Sequence, residues 1–453
     1  MNESNTIRAA LVGWAEDGGW EHIAGSLLPR LPELTDVVVD GWAREALLSL
    51  NPDLVGDPEN TDAVLAEVSR AVLLAQDGLV AANEKLTVML RGEHAFKTLV
   101  GKHVPRRFID FEDLENNRFV VSDEVTIKGG PDTRRMDVVY YVNGFPLVVA
   151  ETKSPVDKGK SWVNGAKDIW GTYEVEYPHF FAPNVFSVAT DGRQLRLAPV
   201  RTEPSGDVNE DEGWGPWGST TDDLKQTQAE RVARSVELLL TPATVLGMLH
   251  DYAMYRAGSS MEPAVKVLPR YAQLEAAEAI HAKVRTGKRV GKGGGLIWQH
   301  QGSGKTELGA FASSRLLRDP AVGNPTVILI AHRKQLVRQA AELFETTGMP
   351  RVSVPASKRD LWKAVKNHRG VIVTTVHKFA EAGHLSDRDN IIVIVDEAHD
   401  SQEGDFGEGV ARRCSQRHVL RDDRYRCQAR RPGHVQAVRG PRRSQLHHVP
   451  LHP

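Results

Sequence analysis

Cysteine is nearly absent. Cys414 and Cys427 are the only two in 453 residues, too few for a disulfide framework or a thiolate zinc site. That excludes the small secreted scaffolds and makes a reducing, cytoplasmic compartment the expectation. Long apolar runs are missing too. The longest candidates, such as Ile391–Val395, are strand-sized, against the roughly 18–20 residues of a membrane helix, so no membrane partner is expected. The first residues include acids and no apolar stretch after a basic start, so no secretory signal is visible. Neither charge dominates. Fifty-seven Lys and Arg face 59 Asp and Glu, a net charge of −2, so any nucleic-acid surface must be a local patch. No internal repeat stands out. What remains is an ordinary globular balance, 41% apolar and 26% charged. The length suits about two to four domains.

Residues 62–90 place Val64, Leu65, Val68, Val72 and Leu73 at helical spacing. From 118 to 149 the pattern changes to short β-rich runs at 119–121, 125–127, 138–142 and 145–150. The last two are separated by Asn143-Gly144, a strong two-residue hairpin signal. A helical segment near 162–173 and a strand near 185–189 complete a domain at 1–201 that mixes helices with an antiparallel-containing sheet. Residues 202–224 are acidic, rich in Gly, Pro and Ser and aperiodic, and read as a linker or exposed loop. A second domain is expected at 225–410. There, strands near 296–298, 326–331, 370–375 and 391–395 alternate with helical segments, the signature of a parallel α/β sheet. From 411 to 453 the apolar periodicity ends, and eleven arginines stand with no lysine. A basic nucleic-acid-binding arm is one reading. Out-of-frame translation is the other and is favoured, because the pattern is lost directly after a well-formed motif.

The strongest chemistry lies at Leu296–Thr306 (LIWQHQGSGKT). A buried strand runs into a tight turn at Gly302, Ser303 and Gly304, then into a helix starting near Lys305. Such glycines let backbone N–H groups converge on a phosphate at a helix N-terminus. Lys305 would neutralise the β- and γ-phosphates of ATP, and the Thr306 hydroxyl would ligate Mg2+. The strict phosphate-loop pattern wants glycine at 299, where Gln stands, so a turn with a surface lysine remains the bland reading. Asp396-Glu397-Ala398-His399 follows an apolar strand downstream. Asp396 suits Mg2+ and Glu397 suits polarising the attacking water. Gln273, 32 residues before Lys305, can read an adenine edge or simply be a solvated helix residue. His332-Arg333 and Thr374–Lys378 follow strand ends, where phosphodiester contacts gather.

A second constellation sits on the hairpin. Asp137 opens one strand and Glu151-Thr152-Lys153 ends the next. Because the two strands are neighbours, these groups can converge at one edge. Two carboxylates in reach of one another make a hard-oxygen Mg2+ site. A lysine beside them can position a water and stabilise a pentacovalent phosphate. A surface salt-bridge cluster is the alternative.

Together these phrases resemble the N-terminal half of the restriction (R) subunit of type I restriction–modification enzymes. The matching stretches are 117–121, 135–153, 294–306 and 395–402. The resemblance implies a PD-(D/E)xK-type nuclease domain, a mixed sheet with flanking helices, followed by one RecA-like parallel α/β lobe of a helicase superfamily 2 motor. It implies Asp137 and Glu151 as metal ligands and Lys153 as the catalytic lysine. It also implies Lys305, Thr306, Asp396 and Glu397 as the ATPase set, with Gln273 at the adenine position. Partners would be double-stranded DNA and the methylation and specificity subunits. Three departures stand out. Ile169 occupies the place of a glutamine usual four residues before Tyr173. His332 replaces an Asp, and Asp400 replaces a basic residue. The third motor motif, second lobe and arginine finger are not found in this sequence, so ATP-driven translocation by this chain is not expected. A repair-type helicase–nuclease and a catalytically dead nucleotide- or DNA-binding remnant remain alternatives.

Overall fold

The computed structural model describes residues 3–30, 36–128, 132–154, 159–205, 213–218, 226–258, 263–286, 295–297, 303–380, 386, 388, 390–396, 418–422 and 438–439. The chain divides into two compact units. One holds Met1–Gly218 and Asp223–Leu268; the other holds Ser219–Asp222 and Pro269–Pro453.

The first unit is built on a mixed sheet. Its strands run in the spatial order Glu21–His22, Phe119–Ile127, Arg134–Val142, Phe145–Thr152, Phe186–Thr190, Leu195–Ala198 and Gly215–Pro216. The predicted hairpin is present. Val142 pairs with Phe145, and both turn residues take positive φ, 49° at Asn143 and 86° at Gly144, the primed turn that matches strand twist. Phe145–Thr152 is buried at every position, so it reads as a continuous apolar run. It lies antiparallel to Arg134–Val142 and parallel to Phe186–Thr190. A bulge interrupts the hairpin ladder: Tyr141 pairs with Pro146, but Tyr140 pairs with Val148, leaving Leu147 extra. Proline tolerates such a position because it has no N–H to contribute to the ladder.

The expected domain boundary is corrected here. Residues 225–268, expected in the second domain, belong with 223–224 of the expected linker to the first unit. A Pro/Gly-rich acidic stretch marks only local solvation, whereas burial decides membership. Helix Gln228–Leu239 and the turns after it bury Val232, Val236, Leu239, Val245, Leu249 and Tyr252. The Trp20 indole donates to Leu240 O at 2.6 Å. Asn83 is a further hub. Its Nδ2 donates to Phe181, Ala182 and Asn184 carbonyls, while its Oδ1 accepts from Tyr255 OH at 2.6 Å and Lys266 Nζ at 2.9 Å. Lys266 has no carboxylate among these partners, and burial holds its pKa well below the ordinary lysine value.

The second unit carries a mainly parallel sheet in the order Val352–Ser353, Gly370–Thr375, Thr326–Ala331, Ile391–Val395, His418–Asp422, Gly295–Ile297 and Val438–Arg439, with only the last strand antiparallel. Leu329 meets the helix Lys305–Arg318 at Gly309, while Ile328 and Ile330 join a core with Leu361, Val365 and Phe379. The sheet is thus covered on both faces, as its unbroken apolar strands require. The expected end at 410 is also corrected: His418–Asp422 forms a strand between Ile391–Val395 and Gly295–Ile297. The rest of the 411–453 tail, except Val438–Arg439, lies outside the described residues. Among the described residues no single helix is long and apolar enough to cross a membrane.

Candidate functional site

In the first unit, the register beyond the bulge sets Val138 against Ala150, which brings Asp137 opposite Glu151 on one face of the hairpin. The strand ends are pinned: Thr152 N and Oγ1 donate to Asp137 Oδ2 at 2.9 and 2.6 Å, and Lys153 N donates to Thr190 O at 2.9 Å. Lys153 Nζ lies 2.7 Å from Glu151 Oε1 and 2.7 Å from Asp168 Oδ2. Tyr173 OH donates to Glu151 Oε1 at 3.4 Å.

Asp168 and Tyr173 come from the helical segment that begins at Trp162. Ser161 opens it with a reciprocal cap to Asn164. The turn Ile169–Tyr173 is π-helical, a widening that recurs at functional sites. Ile169, where the family's glutamine was expected, is fully buried and contributes packing rather than polarity. Asp168 is a participant that the sequence did not reveal. Its only advance signal was its place on the helix that also carries Tyr173.

Glu151 is the most perturbed member. It is 4% exposed, and its Oε2 has no hydrogen-bond partner. Burial and then the Asp137 charge push its pKa up to about 8, against the pull of Lys153. Lys153 loses by burial but gains more from the Glu151 charge and from its bonds to Asp168 and Glu151, so its pKa is raised. Among the described residues no group of three or more His, Cys, Asp or Glu side chains is arranged to hold a metal ion. What the pocket offers is two crowded carboxylates and an unsatisfied buried oxygen, which suits a hard divalent cation completing its shell with water and phosphate oxygens.

In the second unit, Lys305, Thr306 and Asp396 line one cavity with Ile280, Leu329 and Ile394. Asp396 is held at the strand end by its N–H, which donates to Ile330 O at 2.9 Å. Gly304 takes φ 77° at the N-cap of Lys305–Arg318. A side chain there would collide with Gln273. Gln273, expected at the adenine position, is buried and bonded to backbone. Its Oε1 accepts from Arg270 N at 2.8 Å, and its Nε2 donates to the Ser303 and Gly304 carbonyls at 3.2 and 2.9 Å. Both amide protons are therefore spent latching the glycine turn, because the capping box at Arg270 fixes the amide's orientation. Gly302, Glu397 and Asp400 lie outside the described residues. His332 and His377 approach at 6.2 Å between ring centroids, so the two strand-end segments share one edge.

Residues 1–205 match the family model of the type I restriction enzyme R protein N terminus, and residues 272–420 match that of the SWI2/SNF2 ATPase. The type I restriction enzyme HindI endonuclease subunit of Haemophilus influenzae is 28% identical over 89% of this chain and 39% of its own length. The putative type I restriction enzyme MjaVIIP endonuclease subunit of Methanocaldococcus jannaschii is 24% identical over 63% of this chain and 28% of its own. The chain thus spans less than two fifths of either relative. The solved Sulfolobus solfataricus SWI2/SNF2 ATPase core in complex with dsDNA aligns over 33% of this chain and 31% of that one at 15% identity, with a TM-score of 0.27, a likeness too slight to add to the sequence match. Two family models in this order, together with endonuclease-subunit relatives across most of the chain, make it similar to the type I restriction enzyme R subunits.

Proposed function

We propose that the first unit is a PD-(D/E)xK-type, Mg2+-dependent DNA endonuclease and that the second is the nucleotide-binding lobe of a DEAH-box translocation motor. The single observation that carries the nuclease reading is the opposed pair Asp137 and Glu151 beside Lys153, with Glu151 Oε2 buried and unpartnered. Asp137 and Glu151 would hold the cation. Bound Mg2+ supplies Lewis-acid polarisation of a phosphodiester and a more acidic water.

The protein's own part is electrostatic and positional. Lys153, fixed between Glu151 and Asp168, would place a positive charge where the scissile phosphate gains negative charge. Tyr173 would restrict Glu151 to one orientation. In the second unit, Lys305 and the amides at the start of its helix would cradle the triphosphate, with Thr306 and Asp396 toward Mg2+. Gln273 keeps the glycine turn in shape for that task. Duplex DNA would be the shared substrate, with sequence choice left to methylation and specificity subunits.

The test is plasmid nicking by the full chain with Mg2+. Lys153→Ala is expected to reduce nicking by about 10²–10⁴-fold, while Mg2+ still raises the melting temperature. Undiminished nicking by that variant removes the reading. Should the unmodified chain bind DNA without nicking it under any divalent ion, the binding-remnant alternative takes its place.

A further inference from the structure

We propose that the exposed face of helix Lys358–Asn367 is a DNA-backbone contact, an electrostatic stripe continuing the strand-end edge of the second unit. This rests on the reading that the chain handles DNA. It concerns a surface that neither the phosphate loop nor the strand-end motifs include.

The helix is anchored by one face only. Leu361 and Val365 are fully buried against Ile328, Ile372 and Phe379. The other face presents Lys358, Arg359, Trp362, Lys363 and Lys366, all exposed, with Trp362 at 42%. Their spacing makes two adjoining ridges: 358, 362 and 366 on one, 359 and 363 on the other. Lys366 Nζ lies 4.9 Å over the Trp362 ring. The helix's single acid caps its N-terminus within electrostatic reach of Arg359 and Lys363, leaving the stripe a net positive charge. Asp360 accepts from Ser357 N and Oγ at 3.2 and 2.7 Å in the N-terminal cap.

A helix surface needing only solubility intersperses both signs, because like charges three or four residues apart destabilise it. Here Arg359–Lys363 and Lys363–Lys366 are such like pairs, in a chain whose overall charge is −2. The stripe also has a direction. Lys378 Nζ, beyond the end of Gly370–Thr375, donates to Pro355 O at 2.7 Å. That bond ties the start of the helix to the edge where Arg333 and His377 are exposed. A polyanion lying on that edge meets Lys358 and Arg359 next. The amine and guanidinium groups suit phosphate oxygens, and the indole suits a sugar or base face.

The experiment is fluorescence anisotropy of a labelled duplex with the full chain, without nucleotide or divalent ion, across a salt series. Lys363→Gln with Lys366→Gln should weaken binding about tenfold and lower the slope of log affinity against log salt by about two. Trp362→Ala should weaken binding by about fivefold with the slope unchanged. Affinities and slopes equal to those of the unmodified chain would overturn the proposal and leave the stripe to an acidic protein surface. No binding by the unmodified chain at low salt would overturn it together with the DNA reading. Altered binding in a chain that neither nicks nor hydrolyses ATP would uphold the stripe while the enzymatic reading fails.

Discussion

The two candidate sites sit on sheets of different construction, and they meet charge in different ways. In the first unit the acids are embedded in the ladder itself: Asp137 is pinned by Thr152 at the strand end, its charge bears on Glu151, and the surrounding core strips Glu151 of solvent. In the second unit the sheet only delivers the chain to an edge. Gln273 then latches Ser303 and Gly304 ahead of the helix, and Lys305, Thr306 and Asp396 line a cavity otherwise walled by apolar side chains such as Ile280, Leu329 and Ile394. A site made by register carries a standing electrostatic cost, because its like charges cannot move apart. A site made by a turn carries little until a ligand arrives, but it depends on a few local bonds.

The largest test of this contrast asks where the register-built unit ends. A fragment of residues 1–268 is expected to melt cooperatively by circular dichroism. One ending at 201 should fail to fold, having lost the partners of Trp20 and Asn83 and the apolar cover of Gln228–Leu239. Equal melting of the two fragments would put the boundary back at the acidic linker. Next in size, Lys305→Ala is expected to lower ATP affinity about 100-fold, near 2.7 kcal/mol, by calorimetry. The Mg2+-dependent gain in melting temperature from the first unit should persist, and joint loss would mean that the two sites are not separate.

The smallest effect probes the standing cost. Glu151 has a folded-state pKa of about 8, above the ordinary carboxyl value, so the folded protein retains a proton that the unfolded chain has released. Metal-free stability should therefore be fullest below the ordinary carboxyl pKa and fall as pH rises from about 5 to about 8. Glu151→Gln should flatten that decline, raise the metal-free melting temperature at about pH 8 by roughly 5 °C, and abolish the further gain from Mg2+. A parallel decline in the variant would show that the burden lies elsewhere.

Much of this was readable from residue order. The Asn143-Gly144 hairpin, the strand-sized apolar runs and the GSGKT turn are local signals, each set by backbone preferences within a few residues. What escaped was non-local. The membership of 223–268 depends on burial against helices some 170 residues earlier, as in Tyr255 with Asn83. Asp168 becomes visible only when a π-turn segment folds back on the hairpin. Gln273 fits both an adenine reader and a loop latch by composition, and only the course of the glycine turn gives it the second task.

The extra residue at Leu147 has an arithmetical consequence. Across a two-residue turn, residues facing each other directly are always an odd number of positions apart. Asp137 and Glu151 are fourteen apart, so in an unbroken ladder they would project through opposite sides. One inserted position restores parity. Shortening or lengthening the segment between the acids by a single residue would thus separate the pair without touching either carboxylate, whereas changes made two at a time would keep them on the same side of the sheet.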